Sequence, residues 1–212
     1  MLIRHRGQSP TVDPSAFVAP NATLVGDVRI GPRARVLYGA VLDAEGSTVE
    51  VGAACVISEH AVLRATAVGT VPHPVILGDH VFVSPHATLL GCRVERCCYI
   101  ATGATVVHGA RLGAGSVLAV GALAHAGAVL PPEMFVPPMT VAIGDPARVY
   151  GADRPDELAQ AIRGVNFAEA AFGVSHEWTD RIARYERTTE VRVAEYEAHL
   201  DDEILDGGPS NP

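Results

Sequence analysis

The chain has 212 residues and a formal net charge of −8, and all 16 of its basic residues are arginine. Without lysine there is no Walker-type phosphate loop and no Schiff-base chemistry. The acidic balance argues against a nucleic-acid partner, which needs a basic face. Aromatic residues make up 5% of the chain against 48% hydrophobic, so the core must be built from small aliphatic side chains.

The first twenty residues hold no apolar run of signal-peptide length, and no stretch of about 18 uninterrupted apolar residues occurs anywhere. The expectation is a cytoplasmic protein with reduced thiols and no membrane span. Cys55, Cys92, Cys97 and Cys98 form no CxxC pair and match no zinc-finger spacing. They read as small core residues, with Cys97 and Cys98 pointing to opposite sides of a strand.

From Val12 a period of six governs the chain. Val12, Val18, Leu24, Ile30, Val36 and Leu42 follow one another at six-residue steps. After three extra residues the register resumes at Val51, Ile57 and Leu63. After eight more it resumes at Leu77, Val83 and Leu89, and one deletion leads into Val94, Ile100, Val106, Leu112, Leu118, Ala124, Leu130 and Val136. Small residues such as Ala16, Ala22, Ala61 and Ala104 stand four places after their anchors. Neither a helix nor a simple strand has this period. A chain that turns a corner every six residues does, and three sides of it make a triangular coil of about 18 residues. Residues 12–147 give roughly seven coils of a parallel β-helix. The domain runs over 1–150, with the insertion at 66–75 as a protruding loop that carries His73.

Residues 151–206 form a helical extension. Residues 152–212 carry 14 acidic and 6 basic residues, the whole net charge of the chain. Asp153 and Pro155 mark a helix start, running to about Gly173. A second helix is expected from about Glu177 to Leu205. Its apolar stripe of Ile182, Tyr185, Thr189, Val193, Tyr196 and Leu200 would dock on a flat face of the prism. Residues 207–212 are expected to be disordered. His5, His176 and His199 read as solvated, and His80 receives no role.

The anchors, the segment Leu89-Leu90-Gly91-Cys92 and the closing run Ile143-Gly144-Asp145-Pro146-Ala147-Arg148 together resemble the γ-class carbonic anhydrases. The resemblance implies an all-β fold, a left-handed parallel β-helix of hexapeptide repeats with a C-terminal α-helical extension. It also implies a homotrimer with an interface zinc held by three histidines, two from one subunit and one from its neighbour. In this chain those ligand positions fall on Arg64, Pro85 and Leu90. The family's ArgGlyAsp arginine and aspartate fall on Asp43 and Glu45, and its solvent-positioning glutamine falls on Ser58. None of the three ligand positions can bind zinc, so the family metal site and its activity are expected to be missing.

The register places other chemistry nearby. His60 and His86 follow their anchors by three residues and should stack about 5 Å apart at one corner. Glu59 stands beside His60, and His108 lies on the next face with His125 beyond it. In a trimer, the histidine corner of one subunit could meet the Arg64 and His108 face of the next.

Three readings follow. In the first, the trimer is a scaffold or binding protein whose Arg64, Asp43, Glu45 and Ser58 hold a small carboxylate or acyl ligand. In the second, it is an acyltransferase or thioesterase acting on a CoA-type thioester, with His60, His86 or His108 as base and Glu59 orienting it. In the third, it is a carbonic anhydrase with displaced ligands on His60 and His86. No resident cofactor or metal is expected in the first two.

Overall fold

The computed structural model describes residues 1–67, 72–165, 167–172, 174 and 180–205. The chain winds as a left-handed parallel β-helix of about eight turns. Three stacks of short parallel strands form the walls of a triangular prism.

The first face carries Val12, Ile30, Val51, Leu77, Val94, Leu112 and Leu130 in one column. The second carries Val18, Val36, Ile57, Val83, Ile100, Leu118 and Val136. The third carries Leu24, Leu42, Leu63, Leu89, Val106 and Ala124. Every six-residue anchor except Val12 is buried, and Val12 packs against the core from its edge. The alanines four places on are buried as well. A larger side chain there would strike the neighbouring coil, so the repeat is a packing rule as much as a register.

The third face has four strands beyond the six that carry its anchors. Leu2–Arg4 pairs in parallel with Thr23–Val25 and antiparallel with Glu203–Leu205. At the opposite end, Val141–Ile143 pairs antiparallel with Arg148–Tyr150.

The outward side chains distinguish the faces. On the first face Arg29, Glu50, Arg93 and Arg111 are exposed. On the second, Val56, Phe82, Tyr99, Val117 and Phe135 lie in register, and Phe82, Tyr99 and Phe135 are exposed. Phe82 and Tyr99 stack with ring centroids 5.4 Å apart.

The tail differs from its sequence expectation in three ways. Helices α1 (Pro155–Val165) and α2 (Phe167–Phe172) stand where one helix was expected. Helix α3 (Arg181–Tyr196) is capped by Asp180, whose side chain accepts from the Ile182 and Ala183 amides. It ends earlier than expected, passing into a 3-10 turn over Glu197–Asp201 and the strand Glu203–Leu205. The third difference is orientation. Ile182, Tyr185, Val193 and Leu200 of the apolar stripe face outward, while Arg192, Glu195 and Tyr196 meet the prism. His176, the expected start at Glu177 and residues 207–212 lie outside the described residues.

Candidate functional site

His60 and His86 occupy successive turns at the corner between the second and third faces. Their rings stack with centroids 5.4 Å apart and planes 12° from parallel, and both are exposed. Both have left-handed backbone, φ 58° and 60°, as do Gly39, Gly103, Gly121 and Met139 of the same corner column. The conformation therefore belongs to the corner, and it does not by itself mark function. Gly39 leaves room for the ring on the next turn: a Cβ there would stand 2.5 Å from Nδ1 of His60. Ser58 and Ser84, two residues before the histidines, are buried, and the Ser84 hydroxyl has no hydrogen-bond partner among the described residues. Glu59 is half-buried and offers His86 only its backbone carbonyl, so it does not orient either ring.

Arg64 lies on the third face between Asp43 and Leu90 in its column. Its Nη2 donates to Asp43 Oδ2 at 3.1 Å and to Glu45 Oε1 in a shorter contact, and its guanidinium lies 4.5 Å from the centre of the Tyr196 ring. Burial works against the Arg64 charge, but Glu45 and Asp43 outweigh it and hold the pKa above its ordinary value. The Asp43 carboxyl is pushed up, chiefly by burial. Arg64 is thus already committed within its own subunit, so an open carboxylate fork is not what it presents. Within a protomer the Arg64 group and the His60–His86 pair stand apart, on a face and on a corner.

His108 is brought to neither group. It is 7% exposed, lies near His73 of the insertion and Phe167 of α2, and its pKa is pushed down to about 4. Burial is the main cause, with His73 and Arg192 adding to it. His125 also faces Phe167. The insertion folds back through a bridge between Thr66 and His73, and its residues 68–71 lie outside the described residues.

A second polar group forms around residues that sequence reasoning placed in solvent. His5 is 1% exposed, and its Nδ1 lies 2.6 Å from Asp202 Oδ1. His199 stacks on it at 4.3 Å and places Nδ1 2.9 Å from Asp202 Oδ2 and Nε2 3.2 Å from Glu45 Oε1. Burial opposes the His199 charge, but hydrogen bonds to Asp202 and Glu45 raise its pKa overall. Thr66 donates to Glu195, which is ion-paired with Arg192. The only hint in the sequence was the spacing of His199 and Asp202, which puts both on one side of a short helical turn.

Cys55, Cys92 and Cys98 are buried as expected, and burial pushes the Cys92 thiol up to about 12, but Cys97 is exposed: it lies with Cys98 between the strands Arg93–Val94 and Tyr99–Ile100 and turns the corner with a φ of 59°.

No family model matches the chain. It is 31% identical to a carbonic anhydrase of Geobacillus kaustophilus over 163 residues, which covers 77% of this chain and 84% of that protein. It is 40% identical to the mitochondrial gamma carbonic anhydrase 1 of Arabidopsis thaliana over 117 residues, 51% of this chain and 42% of that protein. The match thus spans less than half the length of that plant relative. In fold, it is similar to the crystal structure of a candidate acetyltransferase from Bacillus cereus, with a TM-score of 0.50, 23% identity and coverage of 93% and 96%. The hexapeptide β-helix and these relatives define the class: the chain belongs to the γ-carbonic-anhydrase-like hexapeptide-repeat family.

No helix among the described residues is long and apolar enough to cross a membrane.

Proposed function

We propose that this protein is a homotrimeric, γ-carbonic-anhydrase-like binding protein that lacks the family's zinc site and does not hydrate carbon dioxide there. One observation carries the reading. The resemblance sets the zinc ligands on Arg64, Pro85 and Leu90. Proline and leucine offer no donor atom, and Arg64 is a fixed cation held by Asp43 and Glu45. A cation cannot share that position with a metal ion, so these residues do not fit zinc. Without a zinc-bound water of lowered pKa, the hydroxide needed at neutral pH is missing.

The apolar outer ladder of the second face supports an assembly between subunits. In such a ring the corner that bears His60 and His86 lies at the edge of the contact. A small carboxylate or acyl group would bind there, against the two exposed rings and near Ser58 and Ser84. The exposed, stacked pair favours a second reading, acyl transfer from a CoA-type thioester with one of the two as general base.

The test uses the purified trimer. Carbon dioxide hydration is expected at the uncatalysed rate, and thermal melting is expected to rise with acetyl-CoA or a small carboxylate. That rise should disappear in the His86→Ala variant. Rapid hydration abolished by changing Arg64 or Leu90 would defeat the proposal. Acetyl-CoA turnover lost in His86→Ala would decide for the second reading.

A further inference from the structure

We infer that His5, Glu45 and His199 form a site for a divalent cation of the zinc type, closed by Asp202. Pro85, Leu90 and the His60–His86 corner take no part in it, and Arg64 enters only through its ion pair with Glu45. The site also does not depend on a trimer, since all its residues come from one chain.

Three observations converge. Both imidazoles turn Nδ1 toward the same carboxylate, His5 onto Asp202 Oδ1 at 2.6 Å and His199 onto Asp202 Oδ2 at 2.9 Å. A carboxylate that accepts the Nδ1 protons leaves both Nε2 lone pairs as donors, and it fixes the ring orientation that metal ligation requires. Next, the donor atoms of His5, Glu45 and His199 lie within 4.8 Å of one another. His199 Nε2 lies 3.2 Å from Glu45 Oε1, so the imidazole and the carboxylate stand side by side. Finally, the Glu45 side chain is fully buried, and its Oε2 has no hydrogen-bond partner among the described residues. A buried carboxylate oxygen without a partner is costly unless something satisfies it.

Two histidines and one glutamate are a donor set that zinc accepts, with a fourth position for solvent. Two cations stand nearby. Arg64 uses Oε1 of Glu45 and leaves Oε2, while Asp43 shares its charge. Arg6 donates from Nε to His5 Nε2 at 3.2 Å; it is exposed, and the metal would displace it. The ligands come from the start of the chain, the turn after the third-face strand Val41–Asp43, and the end of the tail. The ion would therefore fasten the tail to the first coil.

The full chain, stripped with EDTA and dialysed, is titrated with zinc chloride. The expected result is one zinc per chain by elemental analysis and a higher melting temperature. Asp202→Asn should weaken the zinc affinity about 10–100-fold, and Glu45→Gln and His199→Ala should abolish binding. Because these changes also break ion pairs, the unaltered chain is loaded with cobalt. The intense visible bands of four- or five-coordinate cobalt are expected. No zinc uptake by the unaltered chain, or only the weak spectrum of six-coordinate cobalt, overturns the inference and leaves an ion-paired clamp. Binding that survives His199→Ala but fails in a His60→Ala, His86→Ala double variant also overturns it, since the metal then sits at the corner. Hydration activity at Arg64 and Leu90 would defeat the proposed function without touching this site.

Discussion

A buried histidine held neutral makes stability depend on pH in a definite direction. His108 has a folded pKa of about 4 against an ordinary value of 6.5. The unfolded chain therefore binds this proton more readily, so stability is complete above about pH 6.5 and falls as the pH drops toward 4. The loss reaches about 3 kcal/mol when the full shift is counted at about 1.4 kcal/mol per unit. Urea denaturation at pH 7.5 and 4.5 should show a larger acid-side loss for the unaltered protein than for His108→Gln. Equal losses would mean that His108 is not the group responsible. At this scale the sequence was readable where the register alone decides a neighbour. The 5 Å stack of His60 on His86 and the column of Asp43, Arg64 and Leu90 follow from counting in sixes. His5 and His199 were not readable, because their burial depends on a tail strand pairing with residues almost two hundred positions away. Periodicity carries no information about such a contact.

The coil is held by backbone approach as much as by side-chain burial. Gly31, Gly52, Gly78 and Gly113 lie just past the first face, and each meets the backbone of the next turn. A Cβ on Gly52 would sit 2.6 Å from the Gly78 carbonyl carbon. No rotation relieves a clash with backbone, so Gly52→Ala should cost roughly 1–3 kcal/mol, the range typical of overpacking. Gly103→Ala is the control: it has open space, and only its φ of +67° counts against it. Its loss should be about 1 kcal/mol. Thermal denaturation of both separates the effects, and equal losses would refute the contact argument. The prism was legible because six-residue spacing repeats on every coil. Helix α3 was misjudged for a physical reason: its stripe identified an apolar face, but the prism beneath it presents Thr66 and ion-paired Glu45 and Arg64. Polar residues of the helix answer polar residues of the wall; Tyr196 of the stripe lies against Arg64, while Ile182, Tyr185, Val193 and Leu200 turn away.

As a whole molecule, the protein has three unlike walls. The first is charged, the third carries the tail, and the second shows an apolar ladder through Phe82, Tyr99 and Phe135. A cyclic trimer that buries this ladder predicts that Phe82→Ser with Phe135→Ser shifts sedimentation toward the monomer while circular dichroism keeps the β-helix signal. A trimer of unchanged stability in that double variant would place the interface on another wall.

The paired strands at both ends of the third wall have a further effect. A stack of parallel coils ends in open rows of amide and carbonyl groups, a template onto which another copy could add and extend a fibre. Glu203–Leu205 and Arg148–Tyr150 close those rows in the antiparallel sense. A following coil would have to pair in parallel, and its register finds no match there. By laying its own tail across one end and a short return strand across the other, the chain blocks end-to-end growth into filaments along this wall.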